Sequence, residues 1–141
     1  MRKVLLDTNI ILDIELEWKE FFEDAVQLFK LIDKRKIIGY ITATTITDIY
    51  YISKKEKGHQ EAIGFIKNLI KVTELIGIDK EIILSALATD LKDFEDAVQI
   101  MASELNEVEI ILTRNKQDFL HTFIKILTPK EFLTDYKNKF I

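Results

Sequence analysis

Cysteine is absent from this 141-residue chain. Its absence excludes a disulfide framework, a thiolate metal site and a cysteine nucleophile, and it fits a reducing compartment, so a cytoplasmic protein is expected. Glycine occurs only at Gly39, Gly58, Gly64 and Gly77, too scattered to build the glycine-rich loops that cradle dinucleotides or nucleoside triphosphates. His59 and His121 stand far apart in polar surroundings without metal-ligand spacing, and both read as surface residues. No nucleophile elbow offers a serine. Long apolar runs are missing too: Val4-Leu5-Leu6 meets Asp7 well before the length of a signal-peptide core or a membrane span, so no membrane segment is expected. Excess positive charge is also lacking. At a net charge of -4 the chain is no general polyanion binder. Its basic residues gather locally at Lys34-Arg35-Lys36, at Lys54-Lys55 with Lys57, and at Arg114 with Lys116, mostly as solvated helix ends.

What is present is ample apolar material in alternating periods. A hydrophobic content of 48% suffices for the core of one domain spanning residues 1–141. Val4 to Leu6 reads as a strand, and the stripe Phe21, Phe22, Ala25, Val26, Phe29 and Ile32 reads as a helix. Ile37 to Ile41 reads as a second strand, followed by a helix through Ile46, Ile49, Tyr50 and Ser53, entered through Thr44 or Thr45 as cap and ended by Gly58. Ala62 to Ile70 continues as helix, a third strand lies within Val72 to Ile78, and a helix starts near Asp79. Phe94, Ala97, Val98, Met101, Ala102 and Leu105 trace the cleanest helical stripe. Glu109 to Thr113 and Ile124 to Leu127 complete the strands, and Thr128-Pro129 opens a last helix with Thr128 as cap. Strands separated by helices demand right-handed parallel crossovers, which gives an α/β/α sandwich of three layers.

In such a sheet the loops at the carboxyl ends of the strands converge on one crevice. Asp7 closes the first strand, Asp96 lies in Asp93-Phe94-Glu95-Asp96-Ala97, and Asp118 follows the fourth strand. Singly, each acid has an ordinary explanation: Asp7 as a cap, Asp93 with Asp96 as a capping pair, Asp118 as a loop acid, and Asp48 as a solvated helix residue. Jointly, they point to a divalent cation, because hard cations prefer carboxylate oxygens and water. Empty, the cluster should repel itself. Two carboxylates about 5 Å apart cost roughly 3 kcal/mol at an effective dielectric near 20, enough to raise at least one pKa. On that ground, Asp7→Asn or Asp96→Asn is expected to stabilise the metal-free protein.

Three blocks carry a family resemblance: Asp7-Thr8-Asn9-Ile10-Ile11-Leu12-Asp13, Asp93-Phe94-Glu95-Asp96-Ala97-Val98-Gln99, and Thr113-Arg114-Asn115-Lys116-Gln117-Asp118-Phe119. In order and spacing they resemble the motif blocks of PIN-domain proteins, above all the small prokaryotic members that include VapC-type toxins. The resemblance spans nearly the whole chain. It implies a PIN-like sandwich around a parallel five-stranded sheet, magnesium- or manganese-dependent endoribonuclease activity, homodimers, and often an antitoxin partner. The family's acids fall on Asp7, Asp96 and Asp118. Its second acid, usually glutamate, falls on Asp48, whose carboxylate reaches roughly an ångström less far and would act through water. Asn9, Thr113 and Asn115 match supporting polar positions, while Asp93 stands between ligand support and cap.

The implied reaction is hydrolysis of an RNA phosphodiester by in-line attack of water with loss of the 3′ oxygen. Arg114 and Lys116 would hold phosphates beside the site. Trp18, Phe21 and Phe22 read as core or dimer contacts, with a partner-binding surface as the other reading. The main alternative is a catalytically weak or inactive PIN module that acts by RNA or protein binding, because the Asp48 departure touches the site itself. Phosphatase and receiver-domain readings fit less well. Asp7-Thr8-Asn9 lacks the second aspartate of a phosphatase pair, and Thr128-Pro129 stands where a receiver domain has lysine.

Overall fold

A computed structural model describes residues 1–119 and 123–140, leaving aside the side chains of Asp118 and Phe140. His121 lies outside the described residues. The chain alternates strands and helices: β1 (Arg2–Leu6), α1 (Thr8–Glu15), α2 (Lys19–Asp33), β2 (Ile37–Thr42), α3 (Ala43–Lys57) and α4 (His59–Val72) come first. Then follow β3 (Glu74–Ile76), α5 (Lys80–Leu87), α6 (Phe94–Leu105), β4 (Ile110–Leu112), a 3-10 turn (Lys116–Phe119), β5 (Lys125–Leu127) and α7 (Pro129–Phe140).

The five strands form one sheet in the order β3-β2-β1-β4-β5. Every neighbouring pair is parallel. Because successive strand residues face opposite sides, Val4, Leu6, Ile110 and Leu112 enter one core with α1, α2, α3, α4 and α7. Leu5 and Ile111 enter the other with α5 and α6. Two separate apolar clusters on one sheet are what a three-layer sandwich requires, and the continuous apolar strands follow from it. On the first face Gly39 permits the closest approach. A Cβ there would lie 2.7 Å from Ile32 Cδ1 of α2, so this strand position has room for hydrogen only.

Local chemistry sets the element ends. The Thr128 hydroxyl accepts from Glu131 N at 3.1 Å while Glu131 Oε1 accepts from Thr128 N at 2.9 Å, a reciprocal box in front of Pro129. Gly58 takes φ 91° between α3 and α4, a conformation that favours glycine and lets α3 stop where the sequence suggested. One cap differs from expectation. α3 is entered through Thr42, whose Oγ1 accepts from Thr45 N at 3.3 Å, instead of Thr44 or Thr45. The helix begins directly at the strand end, so Thr44 and Thr45 already lie within its first turn. No helix among the described residues is long and apolar enough to cross a membrane.

The order places β1 in the centre, with the chain winding first toward β3 and then returning to the other side through β4. That reversal lies between β1 and β4, and in open α/β sheets ligands bind outside the carboxyl ends of the strands at such a point. Asp7 and Thr113 are the residues that follow these two strands.

Candidate active site

Asp7 is the best-held side chain at this crevice. Its backbone N–H extends the β1–β4 ladder to Leu112 O at 3.0 Å, which fixes the Cα before the side chain is considered. The carboxylate then caps α1, accepting from Thr8 N at Oδ1 at 2.8 Å. Gln99 Nε2 reaches the same oxygen from α6 at 3.1 Å. On Oδ2, Thr113 Oγ1 donates at 2.7 Å and Asn9 Nδ2 at 3.2 Å. Four donors converge on two oxygens, and only an acceptor-only group can satisfy all four. At 8% exposure the group sits at the floor of the crevice.

Thr113 is itself locked. Fully buried, it donates to Asp7 and accepts from Asn115 N at 3.0 Å, so the loop after β4 is folded around one hydroxyl. Thr113 and Asn9 are thus bonded directly to Asp7, and Asn115 to Thr113. A second hydroxyl chain joins the start of α1 to the start of α3. Thr8 Oγ1 donates to Thr45 Oγ1 at 3.1 Å, and Thr42 Oγ1 donates to the same oxygen at 3.3 Å. Further along, Ser53 Oγ donates to Glu15 Oε1 at 2.7 Å, and Lys57 Nζ donates to Glu15 O at 2.6 Å. These ties set the position of α3, and with it the position of Asp48.

The opposite wall is acidic and lacks that wealth of donors. Asp93 is the N-cap of α6, accepting from Asp96 N at 3.1 Å, which resolves its two readings in favour of the cap. Asp96 follows in the first turn of α6, partly buried. Asp48 lies on the second turn of α3, and its side chain shares a hydrogen bond with Glu95. That bond, together with burial and repulsion from Asp48, Asp7 and Asp93, raises the Glu95 carboxyl to about 8. The like-charge repulsion expected among these acids thus falls on Glu95, a residue of the second block that stood unassigned. Asp118 lies on the 3-10 turn, and its side chain is outside the described part of the structure.

For a divalent cation, the chemistry of this donor set fits. Every ionisable group is a hard oxygen donor. No three His, Asp or Glu side chains among the described residues already converge as a coordination shell.

The two cations proposed for phosphate are engaged otherwise. Arg114 Nε donates to Asp13 Oδ2 at 2.9 Å, and its guanidinium lies 4.0 Å from the Phe21 ring centroid and 5.6 Å from that of Trp18. Asp13 is 1% exposed, and burial raises its carboxyl pKa against the opposing pull of Arg114. Nothing local in the chain foreshadows this pair, because Asp13 and Arg114 are 101 residues apart. Trp18 is half exposed and serves as a lid on Arg114, outside the core. Lys116 pairs with Glu131 at 3.1 Å, both well exposed.

Comparison with known proteins speaks to the family and the fold. A family model described as PIN domain matches residues 3–117. Ribonuclease VapC1 of Aquifex aeolicus (strain VF5) is 29% identical over 136 residues, covering 92% of this chain and 92% of that protein. A toxin-antitoxin complex from Klebsiella pneumoniae gives a TM-score of 0.68 at 22% identity, over 89% of this chain and 97% of that one. Mycobacterium tuberculosis VapC20, described as a Sarcin-Ricin loop cleaving toxin, gives 0.63 at 11% identity, over 77% and 86%. At these identities the structural likeness concerns the fold.

Proposed function

The chain belongs to the PIN-domain family, and from that premise we propose that it is a divalent-metal-dependent endoribonuclease, acting as the toxin of a toxin-antitoxin pair. The observation that carries this reading is the geometry at the switch point: the Asp7 carboxylate, held by four donors, faces an acidic wall in which Asp48 and Glu95 share a hydrogen bond. The ribonuclease name of the Aquifex relative and the toxin-antitoxin complex among the structural neighbours support the biological role.

In this reading Asp7, Asp96 and Asp118 hold Mg2+ or Mn2+, with Asp48 joining through Glu95 or through water. A bound divalent cation would lower the pKa of water and offset charge on the phosphodiester. The chain's own residues prepare the site for it. Thr113 and Asn9 fix the Asp7 carboxylate, and Asp93 fixes the first turn that carries Asp96. Lys116 is the better candidate for a phosphate contact, since its exposed pair with Glu131 exchanges at little cost, whereas Arg114 is tied to Asp13. An antitoxin protein is the proposed partner. A second copy of the chain would cover the exposed Leu84, Leu87 and Phe94 on α5 and α6.

The test is cleavage of single-stranded RNA with Mg2+ or Mn2+, with Asp96→Asn as control and single-stranded DNA in parallel. Metal-dependent RNA cleavage lost in Asp96→Asn supports the reading. RNA binding without cleavage by the wild-type protein would replace it with the inactive-module reading, which Asp48 at the usual glutamate position favours.

A further inference from the structure

Of the four donors on Asp7, three come from the two loops that meet at the switch point. The fourth is Gln99, from α6, one turn beyond Asp96 on the same helix. Its side chain is 1% exposed, so its amide has no access to solvent. Its orientation is fixed by chemistry: a carboxylate only accepts, so the NH2 end must face Asp7 and the carbonyl end must face elsewhere. That carbonyl oxygen, Oε1, is buried and has no hydrogen-bond partner among the described residues. Buried acceptors are nearly always satisfied, so the role of this side chain lies with its amide end, on Asp7.

We infer that Gln99 is a positioning residue for divalent-cation binding: its Nε2 ties the Asp7 carboxylate to α6, the helix that carries Asp96, and so holds the two acids in register. The inference rests on the metal-dependent reading proposed above. Groups that hold a ligating side chain govern metal affinity although they touch no metal, typically by ten- to a hundredfold. Gln99 is placed to do so because it bridges the element that carries Asp96 to the residue that closes β1. Thr113 cannot serve in this way, since its hydroxyl ties Asp7 to the loop after β4 and not to α6. Asn9 Oδ1 is likewise buried and unpartnered, but Asn9 belongs to the same loop as Asp7 and couples it to no other element. Ser103, one turn beyond Gln99 on α6, supplies a control: its hydroxyl is also buried without a partner, yet it makes no contact with Asp7.

Two measurements on Mg2+ alone, without RNA, decide the matter. In the wild-type protein, the side-chain amide resonance of Gln99 should shift on Mg2+ titration, while those of Gln27 and Gln60 stay in place. By calorimetry, Gln99→Met, which keeps the length and loses the amide, should bind Mg2+ about tenfold more weakly, whereas Ser103→Ala should bind as the wild type does. In RNA cleavage the same Gln99→Met change should raise the Mg2+ concentration for half-maximal rate and leave KM for RNA unchanged. A wild-type protein that binds Mg2+ with no movement of the Gln99 amide overturns the inference alone. So does equal weakening by Ser103→Ala. A wild-type protein that binds no divalent cation overturns the metal-dependent reading and the inference with it.

Discussion

The two walls of the crevice solve the same electrostatic problem in opposite ways. On the β1–β4 side a single carboxylate, Asp7, is surrounded by four donors. On the α3–α6 side Asp48 and Glu95 face each other and share a hydrogen bond. The first arrangement is stable without any ligand, because hydrogen bonds to an ionised group offset its desolvation. The second is only a compromise. The contrast is that the fold offsets the charge of Asp7 with donors of its own, whereas Asp48 and Glu95 meet carboxyl to carboxyl.

The most disruptive way to break the comparison is Asp7→Asn. An amide keeps one carbonyl oxygen and presents NH2 in place of the other, so the two donors on the replaced oxygen, Thr113 and Asn9 on one side or Thr8 and Gln99 on the other, lose their acceptor. Metal-free protein should lose about 3 kcal/mol in urea unfolding. This reverses the stabilisation that simple repulsion among acids led one to expect for Asp7, since the structure gives it donors enough to carry its charge. Next is Arg114→Met, which leaves Asp13 buried without its partner. About 2 kcal/mol should be lost at pH 7, and less near pH 4, where Asp13 takes up a proton and no longer needs the guanidinium. Denaturation at the two pH values checks this.

The acidic wall is sharpened by pH. Glu95 has a folded value of about 8, above its ordinary 4.5. Its contribution to stability is therefore fully present below about pH 4.5 and is lost as pH rises through about 8. Metal-free protein should lose stability over that window, and Glu95→Gln should flatten the loss. Because the hydrogen bond to Asp48 is the largest cause, Asp48→Asn should move the Glu95 carboxyl back toward its ordinary range, as read by carbon NMR titration. The smallest effect belongs to Lys116→Gln. Its exposed pair with Glu131 should contribute within about 0.5 kcal/mol, so any larger change in RNA KM would reflect contact with substrate.

Much of this was legible in the chain. The apolar runs and stripes located the five strands and six of the helices to within a few residues, because period 2 and period 3.6 are local properties, but no stripe had marked α1. Asp7 could be read as important from its place at a strand end, and Asn9, Thr113 and Asn115 from the blocks that carry the family resemblance. Glu95 and Gln99 were in plain view in the second block and still went unassigned. On a helix, adjacent Glu95 and Asp96 point in directions about 100° apart, and which of them meets Asp48 depends on how α6 sits relative to α3. The pairing of Arg114 was hidden for the same reason: a basic residue beside an acidic site suggests phosphate, and its partner in the fold, Asp13, lies on a helix a hundred residues earlier in the chain.

By itself, then, the sequence determined a parallel α/β sandwich and the set of acids available to it, since periodicity and strand-end position depend on near neighbours. Only the tertiary structure decided how charge is shared among those acids: which carboxylate is filled with donors, which two meet carboxyl to carboxyl, and which guanidinium is already taken. Coulomb and hydrogen-bond energies depend on separations of a few ångströms, and such separations between residues far apart in the chain are set by how helices cross the sheet.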